Sequence, residues 1–175
     1  MMDLLFGPLW QSEPPQVTET MRAWLTSSGS LTARVKQHCR GRFSVSVIRH
    51  ERETATEAAA AALALEPGAE VLSREVLLCD DGQARVYAAS LLPVCALTGR
   101  FAPLRELGAQ PLGHWIFAEP QLIRSQMRFC LLPADRLPAL PGQDAVAPPR
   151  IAGRKTHFSG AAKDFLVSEF FLFDE

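Results

Sequence analysis

Two charged residues interrupt apolar stripes in this chain, and they set the chemistry it could perform. Arg74 shares a strand face with Leu72, Val76 and Leu78, because side chains alternate along a strand. Glu169 shares one with Phe165, Val167, Phe171 and Phe173, while the opposite face carries Leu166, Ser168, Phe170 and Leu172. A strand apolar on both faces is buried on both, so Glu169 sits among large apolar groups. An ionised carboxylate there needs a partner, or it must hold a proton. A buried guanidinium likewise needs an anion. Two readings follow. In one, Arg74 and Glu169 form a structural ion pair, or one of them snorkels to the surface. In the other, both line a small dry cavity, where Arg74 holds a carboxylate ligand and Glu169 handles a proton or hydroxyl. The run Gln110-Pro111-Leu112-Gly113 adds a third element. With Pro111 as the first helical residue, the amides of Leu112 and Gly113 lack intrahelical partners and form an anion site.

Other polar side chains fit such a role less well. Leu122 to Cys130 alternates, with Ile123, Ser125, Met127 and Phe129 on one face and Arg124, Gln126 and Arg128 on the other. Arg124 and Arg128 could support a flap or a ligand's second carboxylate, but a solvated face is the preferred reading. His50, His114 and His157 read as surface or partly buried structural histidines, and His38, after an amphipathic helix, as solvated. Cys39, Cys79, Cys95 and Cys130 form no CxxC unit and have no His at metal spacing. They read as reduced thiols, with Cys79 a small core residue. No GxGxxG, P-loop, HExxH or GxSxG motif occurs, so the expectation is chemistry without a metal or other cofactor.

The elements that must position these residues are legible from periodicity. Residues 1–15 read as an N-terminal arm. Val17, Met21, Trp24, Leu25 and Ser28 share a helical face, Ser27-Ser28-Gly29 ends it, and Ser30 N-caps a short helix carrying Leu31 and Val35. Phe43 to Val47 alternates as a strand with one wet face. The alanine-rich stretch Thr54 to Leu65 is a helix stopped by Pro67-Gly68. Leu72–Cys79 and Arg85–Leu92 form a hairpin around Asp80-Asp81-Gly82. Phe101 to Leu107 reads as a helix closed by Gly108. Pro111 opens another, carrying Leu112, Trp115, Ile116 and Phe117. Residues 133–150 read as a Pro-rich loop. Lys155–Ser159 and Phe165–Phe173 are the last strands. The order lacks a regular βαβ alternation, which predicts an α+β fold: a mostly antiparallel sheet covered by helices.

The totals bound the function. A length of 175 residues fits a single domain with one core. Net charge is −1, so no global field recruits nucleic acid or an anionic membrane. Arg outnumbers Lys by 15 to 3; arginine's planar fork matches carboxylates, but a GC-rich coding sequence is the preferred reading of the bias. The N-terminus lacks a signal-peptide pattern and no apolar run reaches the about 20 residues of a membrane span, so a cytoplasmic protein is expected.

Several runs resemble the chorismate–pyruvate lyase family. They are Arg74-Glu75-Val76-Leu77-Leu78-Cys79, Leu107 to Gly113 with Phe117 after it, and Val167-Ser168-Glu169-Phe170-Phe171-Leu172. Trp24-Leu25 with Ser30-Leu31-Thr32-Ala33-Arg34, and Arg154-Lys155-Thr156, resemble the family's N-terminal segment and its basic strand. The resemblance runs from about Met21 to Leu172. It implies a six-stranded antiparallel sheet, with an enclosed ligand pocket under helical flaps, in one lyase-like domain over residues 1–175. It implies an enzyme that splits chorismate into 4-hydroxybenzoate, the ring precursor for ubiquinone, and pyruvate, as a monomer and without a cofactor. By position, Arg74 and the Leu112 amide would bind the ring carboxylate, Glu169 would meet the 4-oxygen, and Leu31 would lie over the ligand in a flap; Glu169 could donate a proton toward the ether oxygen or bond the nascent phenol. Three positions depart from the family pattern. Ala89 replaces an Arg common in relatives, removing one expected ligand contact; Asp164 stands at a frequent Pro and Lys155 at a frequent Arg. The alternative is a binding module: effector-sensing domains of some transcription regulators share this fold. They normally carry a DNA-binding domain, for which there is no room before Met21.

Overall fold

The computed structural model describes residues 9–120, 122–141, 148–160 and 164–174. Six strands form one sheet in the order β1-β2-β3-β6-β5-β4, and every pairing is antiparallel. The strands are β1 (Phe43–Thr54), β2 (Glu70–Asp80), β3 (Gln83–Pro93), β4 (Ile123–Pro133), β5 (Arg150–Ser159) and β6 (Phe165–Phe171). Among the described residues four α-helices accompany it: α1 (Glu19–Leu25), α2 (Leu31–His38), α3 (Glu57–Ala62) and α4 (Leu112–Ala118). Among the described residues, no helix is long and apolar enough to cross a membrane.

The β2–β3 hairpin turns at Asp81 and Gly82, both at positive φ, as the two-residue connection requires. Strands β3 and β6 occupy the sheet centre. Phe165, Val167 and Phe171 are buried on one face of β6 and Leu166, Ser168 and Phe170 on the other, so this strand is covered on both sides. One face packs against α1, α2 and α4 through Trp24, Leu31, Leu112 and Ile116. The other packs with Trp10, Leu77, Tyr87 and Phe170, and with α3 through Ala59 and Leu63. The described part of the N-terminal arm belongs to this second layer. Gln11 bridges to Phe129, and Trp10 lies 5.8 Å from the Phe170 ring.

Several expected boundaries move, each for a local reason. Thr18, not a residue further back, caps α1 by accepting from the Met21 amide, so Val17 and Ser28 fall outside the helix. Thr54 ends β1, paired with Glu70, and α3 starts only after Thr56 caps it. The stretch expected as a helix over Phe101–Leu107 is a 3₁₀ segment, Gly99–Glu106; Pro103 inside it lacks the N–H an α-helix needs. Pro111 is the N-cap of α4 rather than its first residue. Residues 133–150 are not all loop: β4 ends at Pro133, Ala134–Arg136 forms a 3₁₀ turn, and Leu137 and Leu140 are buried. The rest of that stretch, 142–147, lies outside the described residues, as do residues 1–8 of the arm. Strand β5 begins at Arg150, five residues before the expected Lys155.

Candidate active site

Arg74, Val76 and Leu78 of β2, Ala88 and Ser90 of β3, Val167 and Glu169 of β6, and Arg154 and Phe158 of β5 line one side of a cavity. Leu31 and Thr32 of α2 and Leu112, Gly113, Ile116 and Phe117 of α4 roof it. About 600 Å³ of space free of protein atoms, open solvent included, lies among these residues. The four residues singled out in the sequence, Arg74, Glu169, Leu31 and Leu112, all reach it.

Ladder register explains the convergence. One cross-sheet row runs His50, Arg74, Ser90, Val167, Thr156, Met127. The next runs Val47, Val76, Ala88, Glu169, Arg154, Phe129. Arg74 and Glu169 thus stand in adjacent rows with β3 between their strands, about 10 Å apart across two inter-strand spacings. They do not pair with each other.

Arg74 is 2% exposed and has no carboxylate partner among the described residues. Its Nη2 donates to the Gln110 carbonyl at 3.0 Å, and its Nη1 lies 3.2 Å from His50 Nδ1. His50 Nε2 sits 2.8 Å from the Arg105 carbonyl, which can only accept, so Nε2 carries the proton and Nδ1 accepts from Arg74. Burial alone pushes the Arg74 pKa down. His50 is half-buried and bridges Arg74 to the Arg105 carbonyl, the partly buried structural role expected of it. A β-bulge after Val47 carries it onto the cavity face, which strict alternation along β1 would have denied it.

Glu169 is not alone among apolar groups, as its sequence suggested. Arg154, in register with it on β5, donates from Nε to Glu169 Oε2 at 2.5 Å. Arg154 is 1% exposed, and its Nη1 also reaches the Trp24, Leu25 and Ser27 carbonyls at 3.3, 3.3 and 2.8 Å. Those are the last acceptors of α1 and its linker, where a cation complements the helix dipole. One guanidinium thus fixes both the carboxylate and the segment leading to the roof. Arg154 was missed as a site residue. Its own strand shows no apolar stripe for it to interrupt, so only the pairing register reveals it.

Arg124 was expected on a solvated face with Arg128. A bulge between Arg124 and Gln126 separates them: Arg124 pairs with Phe158 on the cavity side, and Arg128 pairs with Lys155 on the other. Arg124 lines the cavity and donates from Nη1 to the Ser27 carbonyl at 3.1 Å. The Ala89 expectation is also corrected. Ala89 pairs with Glu75 and Ser168 and packs with Leu77 and Tyr87 on the far face, so its small side chain subtracts nothing from the cavity wall. There Tyr87 donates to Glu75 at 2.9 Å. Burial, and then Glu75, push its phenol pKa up. Of the remaining histidines, His114 faces an outer cleft between α2 and α4, His38 is exposed, and His157 is half-buried behind the sheet.

The six-stranded antiparallel sheet with helices packed on its faces defines a known α+β fold. The effector domain of PhnF from Mycobacterium smegmatis shares the fold, with a TM-score of 0.61 over 83% of this chain and 90% of that one, at 23% identity. Within this fold class the chain belongs to the chorismate lyase family, whose profile matches residues 7–175. A probable chorismate pyruvate-lyase of Azoarcus sp. (strain BH72) is 36% identical over 95% of this chain and 91% of that protein. A second, from Aromatoleum aromaticum, is 35% identical over 93% and 91%.

Proposed function

We propose that this protein is a chorismate pyruvate-lyase, and that residues 1–175 act as one lyase-like domain. The observation that carries the reading is a fully buried arginine, Arg74, that faces a cavity and has no ion pair among the described residues. A ligand carboxylate supplies the anion. Arg74 binds the ring carboxylate from one side, and the Leu112 amide, at the start of α4, binds it from another. Leu31 covers the ring. Glu169 meets the oxygen on ring carbon 4.

The elimination balances without an added reagent. The bond from the ring to the enolpyruvyl oxygen breaks, and its electron pair leaves with that oxygen. The neighbouring carbon 4 gives up its hydrogen as a proton, and the pair left behind completes the aromatic ring. The enol fragment takes a proton on its methylene carbon and becomes pyruvate. Aromatisation supplies the driving force, so the chain's residues contribute placement and charge stabilisation. Glu169, with one oxygen held by Arg154, is an acceptor for the 4-hydroxyl rather than the isolated acid its sequence suggested. The surplus of guanidinium charge favours the oxygen on which negative charge develops. The products are 4-hydroxybenzoate, a ring precursor for ubiquinone, and pyruvate; the reading is of a cytoplasmic monomer that uses no cofactor and no nucleic acid.

The test is to incubate the purified protein with chorismate alone and assay 4-hydroxybenzoate and pyruvate. Equal molar release of both supports the reading. Binding of chorismate without either product overturns it in favour of a ligand-sensing domain.

A further inference from the structure

Three guanidiniums, those of Arg74, Arg124 and Arg154, line the cavity, and Glu169 is the single carboxylate among its described lining residues. The formal sum is +2. The reading above places one ligand carboxylate on Arg74 and assigns Arg154 to Glu169. Arg124 is then left over. Its Nε–H is buried without a hydrogen-bond partner among the described residues. Its guanidinium stacks over Phe117 and Phe158, at 5.6 and 5.5 Å from the ring centroids. Burial and then the Arg154 charge push its pKa down, and Glu169, already bonded to Arg154, offsets this only in part. Arg124 and Arg154 also share one acceptor, the Ser27 carbonyl, which holds them side by side. In the sheet order, Arg74 stands on β2 and Arg124 on β4, four strands away, so the two approach the cavity from opposite ends.

We infer that Arg124 is the docking point for the second carboxylate of the substrate, the one on the enolpyruvyl arm. This rests on the chorismate reading and adds a specificity determinant to it. A ligand with carboxylates at both ends neutralises both surplus charges. One with a single ring carboxylate, such as 4-hydroxybenzoate, satisfies Arg74 and leaves Arg124 unmatched. Arg124 therefore distinguishes substrate from aromatic product, and its bond is given up when pyruvate departs.

The experiment compares wild type, Arg124→Gln and Arg124→Lys in two measurements: chorismate kinetics, and 4-hydroxybenzoate binding by calorimetry. A charge-assisted bond of this kind corresponds to roughly a tenfold or greater effect. The expected result is a chorismate kcat/KM at least tenfold lower in Arg124→Gln, with 4-hydroxybenzoate Kd within about twofold of wild type. Arg124→Lys, which keeps charge but loses the planar fork, falls between. If Arg124→Gln does not fold, the Lys variant alone decides: lowered chorismate kcat/KM with unchanged product Kd supports the inference. Unchanged chorismate kinetics overturn it. So does an equal loss for both ligands, since that is the signature of a loosened Ser27 linker. A wild-type protein that makes no product fails the underlying reading instead, and unaltered chorismate binding in the variants then overturns this inference separately.

Discussion

At the scale of single residues, Arg74 and Glu169 divide the work between holding and reacting, and kinetics should separate them. Arg74 is anchored by Gln110 and His50, and in the proposed reaction it meets the ring carboxylate in substrate and transition state alike. Its removal takes away uniform binding. We expect Arg74→Ala to raise KM by roughly 10–100-fold with a smaller change in kcat. In the same proposal Glu169 meets the part of the ring where bonding changes. Glu169→Ala should lower kcat by about 10² or more, the usual scale for a group acting on the reacting atoms. Near-normal kcat in that variant would remove Glu169 from the chemistry. Both residues were legible in the sequence for one reason: each is a charge set in an apolar stripe, and burying a lone charge is too costly to be incidental. Arg154 offered no such contrast. Its importance comes from a partner fifteen residues away in the sequence, and strand pairing is what brings them together.

At the scale of elements, the strands and the hairpin turn follow from alternation and from Asp81-Gly82, and so did most of the sheet. What alternation cannot report is a change of parity. The edge strands β1 and β4 each contain a bulge, after Val47 and after Arg124, and each presents a polar side chain to the cavity that a regular ladder would turn away. Arg124 leaves the expected solvated face for that reason alone. The central strands carry their own constraints. Gly153, beside Arg154 in β5, has no room for a side chain: a Cβ there would lie 2.8 Å from Phe170 and 3.0 Å from Cys130. Gly153→Ala should cost about 1–3 kcal/mol by overpacking, read as a lower urea midpoint; an unchanged midpoint would mean that Phe170 shifts freely. The next residue gives a pH signature. Burial, and then Arg128 opposite it, push the Lys155 pKa down to about 8 from 10.5. Below pH 8 both folded and unfolded chains hold the proton, and the folded state bears the full cost of the desolvated ammonium. Between pH 8 and 10.5 the unfolded chain binds more protons, so this residue makes stability rise with pH. The difference in unfolding free energy between wild type and Lys155→Met should narrow or shift in the wild type's favour across that window. A pH-independent difference would show that Lys155 titrates normally.

At the scale of the whole molecule, the fold is a sheet that offers one face to a ligand and closes it with two short helices. The roof is tied down by the site itself. Arg154 holds the α1 carbonyls and the Ser27 linker while holding Glu169, and Gly113 packs against Ser30 and Thr32 where α4 meets α2. An outer cleft between these helices shares Thr32, Pro111, Gly113 and Phe117 with the cavity, which makes it the natural way in. Without ligand, three guanidiniums repel one another across a partly dry space, and only one carboxylate offsets them. An aromatic acid relieves that repulsion in the folded state alone, so binding should appear as thermal stabilisation. At about 100 times Kd the gain is roughly 2.7 kcal/mol, or on the order of 5–10 °C in Tm for a chain of this size. The ligand series identifies which contacts are responsible. Under the proposed reading 4-hydroxybenzoate engages Arg74 and Glu169, benzoate engages Arg74 alone, and phenol lacks the anion that Arg74 requires. The shifts at equal concentration should fall in that order. Because the charges are shielded from solvent, raising ionic strength should change the 4-hydroxybenzoate shift little. Phenol matching 4-hydroxybenzoate would mean that the cavity selects a ring and not an acid, and the buried arginine would then have to be explained without a ligand carboxylate.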